Sequence, residues 1–189
     1  MEELTKKGKN LEIITTLVFI LLGASLRFVP HPPNFAPIAA MALFGAVYLP
    51  RKIAFILPVA TMVVSDFFIG YYEPELMISV YGSFILCVFL GFWLKSHKKW
   101  HLVGGGAILS AVLFFLITNF TVWFFAPWYP RTFPGIIQCY LMALPFFRNT
   151  LLGDLFYAFF FFGAYEMAKG QIKKKFGYPL KNDKALRLT

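Results

Sequence analysis

Charged residues are scarce in this chain, and acidic residues are scarcer than basic ones. Of its 189 residues, 14% are charged, 59% are hydrophobic and 20% are aromatic, whereas typical soluble domains are about 25% charged. The mean hydropathy is +0.67, and apolar runs recur to the end of the chain. This composition excludes an ordinary soluble domain and predicts a polytopic helical membrane protein that forms one compact unit.

Cysteines are also few. Cys87 is expected deep in one helix and Cys139 at the mouth of another, so they differ in depth by roughly 17 Å at 1.5 Å per residue. A disulfide between them is therefore excluded, because bridged cysteines need Cα atoms less than about 7 Å apart.

The sequence motifs of common enzymes are missing. There is no HExxH, no serine elbow, no EExxxR pair and no nucleotide-binding glycine loop. His97 and His101 are four residues apart in a basic loop, but no carboxylate lies near them. The sequence therefore predicts no catalytic residue, no metal and no cofactor.

Six apolar segments predict an all-α bundle of six transmembrane helices, in a single domain 1–189 with a basic tail at 170–189. The helices are expected at about 11–29, 34–49, 53–71, 76–94, 102–126 and 140–168. The first segment is interpreted as a helix rather than a signal peptide, because no A-x-A site follows it. The second is only about 24 Å long, so it is expected to sit within the bundle.

The basic residues predict the orientation of the bundle. Six helices put both termini on one side, and of the 18 Lys and Arg residues only Arg27, Arg131 and Arg148 fall toward the other side. The positive-inside rule then predicts that both termini are cytoplasmic. The same distribution explains the charge of +9 by contact with anionic lipid, so no nucleic-acid partner is expected.

The last apolar segment is unusual because it contains polar and charged residues. A charge at mid-bilayer costs roughly 2.5–3.5 kcal/mol on insertion scales, so such a side chain normally faces a bundle interior, a partner or a cavity. At 100° per residue one face carries Asn149, Thr150, Gly153, Asp154 and Tyr157, with Arg148 beside it. A helix–helix contact built from small and polar residues is the simpler alternative.

The predicted helix directions bring polar groups of other segments to the same outer half. The predicted site residues are Arg27, Asn34, Asp66, Tyr81, Asn119, Trp123, Arg148, Asn149, Asp154 and Tyr157. The four charges of this set sum to zero, as expected of groups that pair away from water. A purely structural network remains an alternative. The aromatic and proline-rich loops at the same end favour a pocket open to the outside.

Small residues recur at helical spacing in the second segment, where Ala36, Ala40, Ala42 and Ala46 form overlapping small-xxx-small pairs. Such pairs suit the close approach of two helices.

Several motifs together resemble a family of uncharacterised bacterial six-helix membrane proteins. They are NFAPIAAMALFGAVY at 34–48, SD at 65–66, GY at 70–71, NFTVW at 119–123, YPR at 129–131 and LPFFRNTLLGD at 144–154. That family resembles in turn the substrate-binding S components of energy-coupling-factor vitamin transporters, nearest the solitary cobalamin-transporting branch. The resemblance implies a six-helix S-component fold in a bacterial inner membrane. At Ala36–Ala40 or Ala42–Ala46 it also implies docking of an ATPase-driven coupling module.

The sequence therefore predicts a membrane-embedded protein that binds a small vitamin-like or cofactor-like compound for uptake. Its expected partners are this compound, the lipid bilayer and a coupling module. Two alternatives stay open, namely a membrane-embedded enzyme that uses Asp66 or Asp154 as acid or base, and an assembly factor whose polar core is structural.

Overall fold

The computed structural model describes residues 24–97 and 99–171, the backbone of 172–176, and scattered positions between 10 and 22. This part of the chain forms five helices and no strand. They are α1 (Ile38–Tyr48), α2 (Arg51–Ile69), α3 (Pro74–Ser96), α4 (Trp100–Phe125) and α5 (Phe133–Phe176). The all-α prediction is confirmed for the described residues.

Four of these helices are long and apolar enough to cross a membrane, namely α2, α3, α4 and the Phe133–Gln171 part of α5. Helices of this length and hydropathy are typical of a membrane-embedded helical protein, as predicted. The predicted first helix, 11–29, lies partly outside the described residues. Positions described between 14 and 25 are helical, and a turn follows at 26–28. The predicted basic tail lies outside the described residues beyond 176.

Helix α1 is the centre of the bundle. All but one of its eleven residues are buried, and α2, α3, α4 and α5 all contact it. A helix that is apolar on every side is stable either in a protein core or in lipid. Its 11 residues span about 16 Å, too short for a bilayer core of about 30 Å. The prediction that this segment sits within the bundle is confirmed.

Helix α1 begins at Ile38 rather than at the predicted 34. Asn34 has a left-handed φ of 64°, a conformation that Asn tolerates better than most residues but that no helix continues. Ala36 precedes Pro37, and the proline ring disfavours helical geometry in the residue before it. Residues 30–37 therefore form an irregular connection into α1.

The small residues of α1 serve packing within the chain. Ala40, Ala42 and Ala46 have no exposed surface. A Cβ placed on Gly91 of α3 would lie 2.5 Å from the Ala46 Cβ and 2.7 Å from the Leu43 carbonyl oxygen, so the two helices touch at this point. The predicted docking role is wrong for these three alanines, because no part of them reaches a partner.

The helices define two ends of the bundle. The pocket end holds the connection 30–37 and the loops 70–73 and 126–132, and Glu73 and Trp128 of the two loops line one cavity there. The basic end holds the turn 49–50, His97 and Lys99. There the Arg51 guanidinium carbon lies 6.0 Å from the ring centre of Phe92. Which end faces the cytoplasm stays a prediction.

Helix α5 is far longer than predicted. Its 44 residues span about 66 Å at 1.5 Å each. It begins at Phe133 rather than at 140, because Thr132 caps it and its Oγ1 accepts a hydrogen bond from the Gly135 N–H at 3.3 Å. A Cβ on Gly135 would lie 1.9 Å from the Pro130 carbonyl oxygen, so only glycine allows this turn. Thr-Phe-Pro-Gly at 132–135 is thus a helix start rather than a loop.

Candidate ligand-binding cavity

An ion pair lies at the pocket end of α2. Asp66 is 1% exposed, and its Oδ1 accepts a hydrogen bond from Arg27 Nη2 at 2.6 Å. Its Oδ2 accepts one from the Tyr81 hydroxyl of α3, also at 2.6 Å. Arg27 donates in addition to the Ser65 hydroxyl. Both carboxylate oxygens are therefore occupied, and the charge of Arg27 is neutralised by its neighbour. The predicted pairing of buried charges holds for Arg27 and Asp66.

Tyr72 lies beside this ion pair, in the loop between α2 and α3. Burial raises the pKa of its phenol to about 12, and the Asp66 carboxylate acts in the same direction while Arg27 acts against it. The phenol is consequently neutral at physiological pH. It forms part of the cavity wall.

A cavity of about 340 Å³ opens next to these residues, within the range of about 300–1,000 Å³ found for small-molecule sites. Its polar lining consists of Arg27, Asn34, Tyr72, Thr150 and Asp154. Most of the remaining wall is apolar and includes Ile38, Met62, Leu76, Val80, Phe84 and Phe114. Phe84 and Phe114 stack on each other, with ring centres 5.4 Å apart. The cavity is thus a largely apolar chamber with a few polar groups, which come from α5 and from the non-helical segments at the pocket end.

Asp154 of α5 is a buried polar residue of this lining with an unpaired oxygen. It is 3% exposed, and its Oδ2 has no hydrogen-bond partner. Thr150, one turn earlier, donates its hydroxyl to the Phe146 carbonyl at 3.0 Å within the same helix. A buried polar atom without a partner costs about 1–3 kcal/mol, and more when it is charged. Asp154 therefore offers an unused acceptor at the cavity wall.

Two smaller cavities continue toward the end of the bundle. One, of about 190 Å³, shares Asn34, Leu76, Val80, Phe114 and Thr150 with the first and also reaches Asn119 of α4. The other, of about 240 Å³, lies between the loops 70–73 and 126–132 and is lined by Glu73, Glu75, Phe125 and Trp128. Leu76 borders all three cavities. The three spaces form a series from the acidic mouth to Asp154.

Several predicted site residues come together here. Arg27, Asn34 and Asp154 line the first cavity, and Asn119 lines the second. Asp66 and Tyr81 lie behind Arg27 and hold it in place. Their role in binding a ligand stays a prediction.

Other predicted site residues border none of these three cavities. Arg148 is exposed and borders none of the three cavities. Asn149 donates its side-chain amide to the Pro33 carbonyl at 3.0 Å and anchors the connection 30–37. Trp123 donates to the Pro130 carbonyl at 3.0 Å in the next loop. Tyr157 is buried against Phe35, with ring centres 5.5 Å apart.

Sequence reasoning missed other lining residues, namely Tyr72, Met62, Leu76, Phe84 and Phe114. Only Tyr72 carried a signal, because it belongs to the aromatic and acidic loop expected at this end. The other four are ordinary apolar residues in apolar helices, and nothing in the sequence distinguishes a cavity wall from a lipid-facing surface at such positions.

Fold and cavity together define a membrane-embedded helical protein with a chamber of small-molecule size at one end. The chain belongs to a family of unknown function (DUF6580), whose model matches residues 7–176. No curated protein and no solved structure matches the chain.

Proposed function

We propose that this protein captures a small vitamin-like or cofactor-like compound in the cavity next to Arg27 and Asp154, for uptake across the membrane. Its role would resemble that of the S components of energy-coupling-factor transporters. The proposal is supported by a chamber of about 340 Å³ within a helical bundle, with apolar walls and polar groups supplied by α5 and by the segments at the pocket end.

The observation that carries the proposal is the unpartnered Asp154 Oδ2 at the wall of this chamber. A polar core with a purely structural role satisfies its own buried groups, as Arg27, Asp66 and Tyr81 do. Asp154 differs from them, since leaving its acceptor unpaired costs stability. A ligand that donates a hydrogen bond there would remove this cost.

The volume restricts the kind of compound. A cavity of about 340 Å³ suits a compact molecule, and a corrinoid would not fit without rearrangement of the surrounding helices. The proposed substrate is therefore smaller than cobalamin. In the proposed orientation the pocket end faces the outside, and the basic end, with Arg51, Lys52, Lys95 and Lys99, faces the cytoplasm.

A coupling module remains part of this proposal, but α1 is not its docking site, because Ala40, Ala42 and Ala46 are enclosed by the chain's own helices. Docking would use the outer surfaces of the long helices instead.

The test is native mass spectrometry of the protein released from lipid nanodiscs after gentle purification. We expect wild type to retain a small molecule, and Asp154→Asn to retain much less of it. The matched control is Arg148→Gln, which removes a charge from an exposed position outside the cavities and should retain the molecule as wild type does.

Uptake of the retained compound into liposomes then separates capture from chemistry. Recovery of the compound unchanged supports capture. Conversion by wild type, with conversion but not binding lost in Asp154→Asn, would instead identify an enzyme that uses this carboxyl as acid or base. Absence of any retained small molecule in wild type would overturn the capture proposal.

A further inference from the structure

The lining of the three cavities contains more acidic than basic residues. Arg27 is the only basic residue among their described lining residues, and its guanidinium is already paired with Asp66 at 2.6 Å. On the acidic side, Asp154 lines the first cavity and Glu73 and Glu75 line the third. The lining therefore has carboxyl groups without a matching basic residue.

The walls between these carboxyl groups suit a cation as well. Phe84 and Phe114 border the deep cavity, and Phe125 and Trp128 border the mouth. Aromatic faces attract organic cations through their negative π surface, most strongly where water is excluded. An anionic ligand would meet the same faces unfavourably, and the one guanidinium on its way is already neutralised by Asp66.

From this asymmetry we infer that the ligand is a compact organic cation, with an apolar or aromatic body and a protonated nitrogen that donates to Asp154 Oδ2. The inference rests on the proposed function and adds the substrate class to it. The body lies against Phe84 and Phe114 in the deep cavity, and the nitrogen supplies the hydrogen bond that Asp154 lacks.

The carboxylates of Glu73 and Glu75 at the third cavity would attract a cation to the pocket end. Glu73 and Glu75 are exposed at the cavity between the loops 70–73 and 126–132. Carboxylates at the entrance of a low-dielectric cleft raise the local concentration of a cation and its association rate. Leu76 borders all three cavities, including the mouth and the cavity that holds Asp154.

The test uses defined probes on the full-length protein in nanodiscs. Benzylammonium, 2-phenylethylammonium and 4-phenylbutylammonium are compared with 2-phenylethanol and with 3-phenylpropionate by thermal shift and isothermal titration calorimetry. At least one ammonium ion is expected to bind and to raise Tm with concentration, while the alcohol and the carboxylate bind at least tenfold more weakly. Stronger binding of the carboxylate or the alcohol, or no binding by any ammonium ion, would overturn the inference.

Substitutions test whether the ammonium group binds at Asp154. Asp154→Asn should weaken ammonium binding about 10- to 150-fold, as expected for loss of a charge-assisted hydrogen bond. Arg148→Gln is the control and should leave binding unchanged. The double variant Glu73→Gln, Glu75→Gln should slow association and reduce its salt dependence, with little change in dissociation. Equal affinities of wild type and a folded Asp154→Asn would show that the cation is not held at Asp154 and would overturn the assignment.

The identity of any retained molecule distinguishes the two proposals. A neutral or anionic compound found by native mass spectrometry would overturn the cation inference and leave capture standing. If wild type retains no small molecule, the proposed function itself fails.

Discussion

Replacing Asp66 with asparagine tests how strongly the ion pair holds the pocket end together. The asparagine side chain keeps the shape of the carboxylate, which is 1% exposed, but removes its charge. Arg27, with a side chain 14% exposed, then stays largely buried without its counter-charge. The asparagine oxygen can still accept from Arg27, and its amide can donate to the Tyr81 hydroxyl, which accepts as well as donates, so the main loss is the counter-charge of Arg27. Breaking one partner of a buried pair costs about 3–5 kcal/mol, and we expect that loss in the free energy of unfolding.

The assay is equilibrium unfolding in mixed detergent micelles, followed by the fluorescence of the four tryptophans. Arg148→Gln is the matched control, because it removes a charge from an exposed position and should change the free energy of unfolding by less than about 0.5 kcal/mol. The double variant Arg27→Met, Asp66→Leu removes both charges and should recover much of the lost stability, since a well-packed apolar pair can replace a buried ion pair.

A loss below about 1 kcal/mol for Asp66→Asn would refute this reasoning, because exposed ion pairs contribute only that much. The same conclusion would follow if the double variant were no more stable than the single one. The pair would then be screened by solvent rather than buried, and it could not keep Arg27 from attracting an anionic ligand.

Three further results are expected. Gly91→Ala should lower the free energy of unfolding by about 1–3 kcal/mol through overpacking, because the added Cβ would lie 2.5 Å from the Ala46 Cβ of α1. The control is Gly82→Ala in the same helix, whose Cβ would meet nothing within 4 Å and which should be neutral or slightly stabilising in thermal denaturation. Tyr72 has a pKa of about 12 in the folded protein against an ordinary 10.0, so its contribution to stability is complete below pH 10 and is lost as the pH rises through 12. Between pH 10 and 12, Tm should therefore fall more steeply in wild type than in Tyr72→Phe. Equal slopes for the two proteins would contradict the assigned burial of Tyr72. Cysteines introduced at Glu73 and Ser96, both exposed, should react from opposite sides of the membrane, Glu73→Cys with an impermeant reagent on intact cells; labelling of Ser96→Cys from outside would reverse the proposed orientation.

The sequence alone was sufficient for the class of protein and for most of the helices. The ends of α2, α3 and α4 fall within two residues of their predicted positions, because the length of an apolar run and the Pro or Gly residues beside it are local properties. The central position of α1 was also predictable, since a short helix without a polar face can neither span a bilayer nor face water. The absence of a disulfide was confirmed, as both cysteines are free.

The sequence did not determine which polar side chains share a space. Asn149 and Asp154 occupy one predicted face of α5, yet Asn149 anchors the connection 30–37 and Asp154 lines the cavity. Arg148 was predicted to belong to the same site as Asp154 but is exposed. Helical periodicity fixes the angles between side chains on one helix, whereas the groups that each face meets depend on the crossing of other helices.

The cavity itself was decided only by the tertiary structure. Close contact between Gly91 and Ala46 sets how near α3 lies to α1, and the pairing of Arg27 with Asp66 joins residues 39 positions apart. These long-range contacts leave Asp154 without a partner beside an open space. No local pattern encodes such a gap, because a cavity is the volume that several helices fail to fill together, and its walls are made of the same apolar residues as a filled core.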